Sequence, residues 1–161
     1  MHYLDQIIRQ TISIMDNINW FSMALATITP MFIGFFYYHK AIFGKVWMES
    51  IGMTDKKAKK ANMVVAFGAS IVLSFLLSFF LLNFNNDGIN QEGDFDTFQH
   101  GAWHGVVIAI TIVTPVIVTN GLFGQKAWKN MLIIIFYWII TLALMGGILD
   151  AMNHWENVLI P

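Results

Sequence analysis

Four apolar stretches run roughly from Trp20 to Tyr38, Val64 to Leu82, Val106 to Leu122 and Met131 to Leu149, and none contains Asp, Glu, Lys or Arg. A bilayer core requires about 20 predominantly apolar residues per spanning helix. The pattern therefore predicts an all-α, four-span transmembrane helical bundle. Ahead of it, Tyr3, Leu4, Ile7, Ile8, Ile12 and Met15 fall close to one helical face, with Asp5, Arg9 and Ser13 opposite. That periodicity predicts a short amphipathic helix within residues 1–16, lying in the membrane interface. A frayed tail is the alternative. Residues 17–155 then make up a single transmembrane domain, and residues 156–161 a tail.

Small residues recur at four-residue intervals on three of the stretches. They are Ala66, Ser70, Ser74 and Ser78 on the second, Gly101, Gly105 and Ala109 on the third, and Ala143, Gly147 and Ala151 on the fourth. In lipid, where hydrophobicity does not draw helices together, such rows permit close approach. They predict tight packing within the chain or a homo-oligomer. Thr29-Pro30 and Thr114-Pro115 interrupt the first and third stretches, where each proline removes a donor and crowds the carbonyl of Ala26 or Thr111. Both stretches lead into related turns, Phe43-Gly44-Lys45 and Phe123-Gly124-Gln125-Lys126, about 80 residues apart. Two like-oriented hairpins are one reading and plain kinked helices the other.

Composition agrees with the patterning: 57% of the 161 residues are hydrophobic and 12% charged, which does not describe a soluble domain. With no cysteine, disulfides and thiolate metal sites are excluded. Residues 1–16 lack the basic start and unbroken apolar core of a cleavable signal peptide. No basic patch of the kind that neutralises nucleic-acid phosphates is present.

The distribution of charge adds a direction. Lys40, Lys45, Lys56, Lys57, Lys59 and Lys60 lie between the first two stretches, against Glu49 and Asp55, and Lys126 and Lys129 lie between the last two. Asp87, Glu92, Asp94 and Asp96 lie in the middle loop, and Asp5, Asp16, Asp150 and Glu156 in the flanking segments. Eight of nine basic residues thus fall on one side and eight of ten acids on the other. The positive-inside rule makes the lysine-bearing loops cytoplasmic and puts both termini outside. Trp20, Trp47, Trp103, Trp128 and Trp155 sit at or just beyond the stretch ends, at headgroup level, and only Trp138 lies mid-span.

Asn19-Trp20, Phe43-Gly44-Lys45-Val46-Trp47-Met48, Pro115, Leu122-Phe123 and the run from Tyr137-Trp138 to Met145-Gly146-Gly147-Ile148-Leu149 resemble the bacterial membrane-protein family catalogued as domain of unknown function 1761. The likeness covers roughly residues 17–149, and its most specific part is the Phe43–Met48 turn. Members commonly carry tryptophan-tyrosine-serine-proline before that turn. This chain has Tyr37-Tyr38-His39-Lys40, so a role for that proline does not carry over. The resemblance implies a four-span bacterial inner-membrane protein and no particular activity.

Candidate chemistry concentrates at the acidic side. In Phe98-Gln99-His100-Gly101-Ala102-Trp103-His104-Gly105 the two histidines lie one helical turn apart, about 6 Å along the axis. Asp150 and His154 repeat that spacing at the end of the fourth stretch. His100, His104, Asp150 and His154 offer three imidazoles and a carboxylate, a donor set for a divalent transition metal such as zinc, copper or iron. Asp94 or Asp96 would orient an imidazole. The plainer readings are histidines bonded to water, headgroups or backbone at helix ends, and a pH-responsive pair. Asn83, Asn85, Asp87, Gly88 and Asp94 partly echo a calcium loop but depart from it at both ends, which favours a solvated acidic loop.

Three function classes follow. A non-catalytic membrane component (partner subunit, scaffold or small permeation module) is favoured, its partners being the lipid bilayer and a second copy or another membrane protein. A metal-binding protein or enzyme using the outer histidines is the alternative. Ion-coupled transport is disfavoured, because no ionisable residue falls within the stretches.

Overall fold

The computed structural model describes residues 18–85 and 97–153. Within them the chain is helical, with four helices long and apolar enough to cross a membrane: Trp20–Tyr37, Met63–Asn85, Phe98–Phe123 and Trp128–Met152. These are spans one to four of an all-α, multi-pass membrane protein. The expected amphipathic helix of residues 1–16 lies outside the described residues, as do His154 and most of the middle loop.

Three spans are longer than their apolar stretches, span four at both ends. Span two continues to Asn85. Span three begins at Phe98, where Thr97 caps it by accepting from the His100 N–H at 3.3 Å. The cap fixes the start, although glycines and histidines dilute the hydropathy of the first two turns. Span one starts in the same manner, with the Asn19 side chain accepting from the N–H groups of Phe21 and Ser22.

Span four is the centre of the packing and touches all three other spans; span two also packs against span one. Met23, Leu81, Leu142, Met145 and Leu149 are fully enclosed between them. The closest approach joins spans three and four. A Cβ at Gly101 would strike the Gly146 carbonyl and the Asp150 side chain, one at Gly105 the Leu142 carbonyl, and one at Gly146 the Gly101 carbonyl. The row on span four that meets the expected Gly101/Gly105 seam is therefore Leu142–Gly146–Asp150. The neighbouring Ala143–Gly147–Ala151 row is turned aside, and its Gly147 makes room for the Phe98 ring. On span two only Ser74 and Ser78 of the small-residue row are buried, with Ser78 3.5 Å from Thr27 of span one.

The two Thr-Pro pairs are accommodated differently. Span one stays α-helical through Pro30, and Tyr137 of span four donates to the Pro30 carbonyl at 2.8 Å. Span three widens into a π-helical turn over Ala109–Val113. There both the N–H and the hydroxyl of Thr114 turn to the Ala109 carbonyl, the hydroxyl at 2.8 Å. The π-turn relieves the proline clash within the helix, as insertions at such points commonly do.

The turns after these spans also differ. After span one the chain makes a π-helical turn, Lys40–Gly44, and a short helix, Lys45–Ser50. After span three it passes through Gln125, at φ 50°, directly into span four. These differences speak against a repeated hairpin.

Candidate functional site: a polar cluster at one end of the spans

The ends of span two, span three and span four meet where the expected histidines lie. Asp150, on the last turns of span four, is only 5% exposed, and its Oδ2 is 2.9 Å from His100 Nδ1. Asn85, the last residue of span two, is 4% exposed, and its Oδ1 is 3.1 Å from His104 Nδ1. The two imidazoles lie side by side, ring centroids 4.2 Å apart, with Phe84 edge-on to His104. Gly101 and Gly105 explain the crowding: they bring span three against span four closely enough for His100 to reach Asp150.

The hydrogen-bond pattern sets the tautomers. Asn85 Nδ2 donates to the Gly146 carbonyl at 3.1 Å, which can only accept, so the amide oxygen faces His104. His104 Nδ1 must then be the donor. An Asp150 carboxylate likewise only accepts, which makes His100 Nδ1 a donor. In their neutral forms both rings therefore hold the proton on Nδ1 and the lone pair on Nε2. Metal-ligating histidines have this orientation, with an oxygen on the nitrogen away from the metal.

Of the four residues expected to gather here, the structure joins His100, His104 and Asp150. His154 lies outside the described residues, as do Asp94 and Asp96. Asp150 approaches His100 as a hydrogen-bond acceptor, the part expected of Asp94 or Asp96. Among the described residues no three His, Cys, Asp or Glu side chains are grouped as an ion would require.

Asn85 was placed by sequence in the calcium-like loop. Instead it ends span two, and Asn83 is helical too, with Nδ2 on the Phe79 carbonyl at 2.7 Å. The other positions of that motif lie outside the described residues.

A second set of bonds, unanticipated by sequence, continues the cluster toward span one. Asn153 Oδ1 accepts from the Asn19 N–H at 2.8 Å, and Asn153 Nδ2 donates to Ser22 Oγ at 2.7 Å. Asn19 Nδ2 returns a bond to the Met152 carbonyl at 2.9 Å. The available signal was an asparagine at the end of each of three spans: Asn19, Asn85 and Asn153. A buried amide demands partners, and the nearest ones are the exposed backbone groups of neighbouring helix ends.

A family model described as "Protein of unknown function (DUF1761)" matches residues 21–150. No curated protein and no solved structure matches the chain.

Proposed function

We propose, from the premise that this chain belongs to the DUF1761 family of proteins of unknown function, that it is a non-catalytic component of the bacterial inner membrane that associates with another membrane protein or a second copy of itself. The observation that carries this reading is the basic-end half of span two. Every residue from Met63 to Leu73 is exposed, and a Cβ at Gly68 would meet nothing within 4 Å. Ala66, Gly68, Ala69 and Ser70 offer this half of the helix the small surface on which membrane helices approach closely. The polar groups of the opposite end support the same reading, because Asn19, Ser22, Asn85, Asn153 and Asp150 direct their hydrogen bonds to neighbouring spans. We place the lysine-bearing loops in the cytoplasm and both termini outside.

Photo-crosslinkers at Ala66 and Ser70 in native membranes test association. A crosslink to one defined protein, self or other, is expected, and crosslinks to lipid alone would overturn the reading. A C-terminal alkaline phosphatase fusion tests orientation and is expected to be active.

A second reading, metal binding at the histidines, is favoured by the Nδ1 bonds alone. His100 and His104 would ligate a divalent transition metal through Nε2, with Asp150 and Asn85 orienting them and His154 a further candidate ligand. Metal content of the purified protein beside a His100→Ala/His104→Ala variant decides it. Equal content in the two sinks this reading and leaves the first untouched.

A further inference from the structure

The segment between spans one and two is fastened at a fixed height on the molecule. Its short helix, Lys45–Ser50, packs against span four. Ser50 Oγ accepts from Nδ2 of Asn130, a buried residue on the first turn of span four, at 3.2 Å. The approach to this helix is equally constrained: the Gly44 N–H donates to the His39 carbonyl at 3.0 Å, and a Cβ at Gly44 would strike the Tyr38 carbonyl. The same contact with span four puts the first and third loops at one end, so eight lysines gather there against Glu49 and Asp55.

Two kinds of side chain share the fastened segment. Ile42, Phe43, Val46 and Ile51 are exposed although apolar. Just beyond them Lys56, Lys57, Lys59 and Lys60 are also exposed. Lys57 Nζ donates a hydrogen bond to the Gly52 carbonyl at 3.1 Å, which ties that ammonium to the turn. An apolar row beside a lysine cluster, held where a span leaves the bilayer, is the amphipathic arrangement of an interfacial segment. A soluble acidic partner would satisfy the lysines but leave the apolar row in water. Acyl-chain boundary and phosphate layer together satisfy both.

The geometry points to a lipid-binding shelf: Ile42, Phe43, Val46 and Ile51 enter the interface, and Lys56, Lys57, Lys59 and Lys60 hold the headgroups of anionic phospholipids in the adjacent leaflet. Juxtamembrane lysine clusters of this size attract anionic lipid through the headgroup phosphate charge. The shelf is independent of what the histidines do and of which protein covers span two.

The full-length protein is reconstituted in phosphatidylcholine, and spin-labelled phosphatidylglycerol is compared with spin-labelled phosphatidylcholine by the fraction of label immobilised at the protein. Wild type is expected to prefer the anionic lipid several-fold and to lose the preference as salt rises. Changing Lys56, Lys57, Lys59 and Lys60 together to Gln is expected to bring the ratio near unity, with the helical circular dichroism unchanged. The corresponding Arg variant, which keeps charge, is expected to retain the preference. Equal immobilisation of the two lipids by wild type overturns the proposal, as does a preference that survives the Gln substitutions.

Discussion

The two ends of this molecule are built on opposite terms. At the histidine end, spans three and four touch backbone to backbone at Gly101, Gly105 and Gly146, and amides and imidazoles tie all four spans together. At the lysine end, span two stands clear from Met63 to Leu73, and Phe123 at the close of span three is 89% exposed. Contact there is made by single side-chain bonds, Asn130 to Ser50 and Tyr37 to the Ile133 carbonyl, and by aromatic rings. Tyr38 packs on Trp47 and Tyr137 with ring centroids 5.1 and 5.2 Å apart, and Tyr37 packs on Phe43 at 4.6 Å. The difference teaches where cohesion in a membrane comes from. Apolar surface is as content against acyl chains as against another helix, so spans close up only where small residues admit close packing and polar groups need partners.

The sharpest way to break this comparison is to place one bulky side chain at each end. Gly105→Leu drives a side chain into the Leu142 carbonyl, and overpacking of this kind costs about 3 kcal/mol. The measurement is thermal or dodecyl sulfate unfolding in detergent. Gly68→Leu, into open space within the single chain, is expected to change the unfolding of the detergent-separated monomer by no more than about 0.5 kcal/mol. Equal losses at the two positions would show that the ends are held alike.

Asp150→Ala is the next largest effect. It removes the buried acceptor of His100 Nδ1 and is expected to cost about 2 kcal/mol, the penalty of an unsatisfied polar group. Asp150→Asn keeps an oxygen in place and is expected to cost less, so the order Asn above Ala in unfolding temperature checks the role. Tyr137→Phe removes the bond to the Pro30 carbonyl. Hydrogen bonds between membrane helices are worth about 0.6 kcal/mol on average, and a loss of that size is expected. The smallest effect belongs to Lys126→Gln with Lys129→Gln: both side chains are exposed, and unfolding is expected to move within about 0.5 kcal/mol.

Much of the fold was legible because it rests on local chemistry. Four uncharged apolar lengths define four helices, and sorted lysines and acids distinguish the loops. The His100/His104 pair was legible for the same reason, since residues four apart share a helix face. The partners were less so. Span four carries both Gly146 and Gly147, and the spacing rule cannot choose between the rows to which they belong; the structure seats Gly146 on Gly101 and leaves Gly147 to Phe98. Asn85 looked like a loop residue because hydropathy falls before the helix ends. The prolines looked alike by sequence, yet Pro30 sits in an unbroken helix with its own carbonyl bonded by Tyr137, while Pro115 follows a π-turn.

The sequence by itself determined that the chain crosses a membrane four times, and which loops carry the lysines. Those properties follow from transfer energies and charges summed along short lengths of chain, independently of how helices meet. Only the tertiary structure decided that Asp150 orients His100 and Asn85 orients His104. Those pairs are separated by 50 and 19 residues along the chain and lie on different spans. The glycine crossing of spans three and four and the end of span two bring them within hydrogen-bonding distance, and no local rule fixes the register at which helices cross.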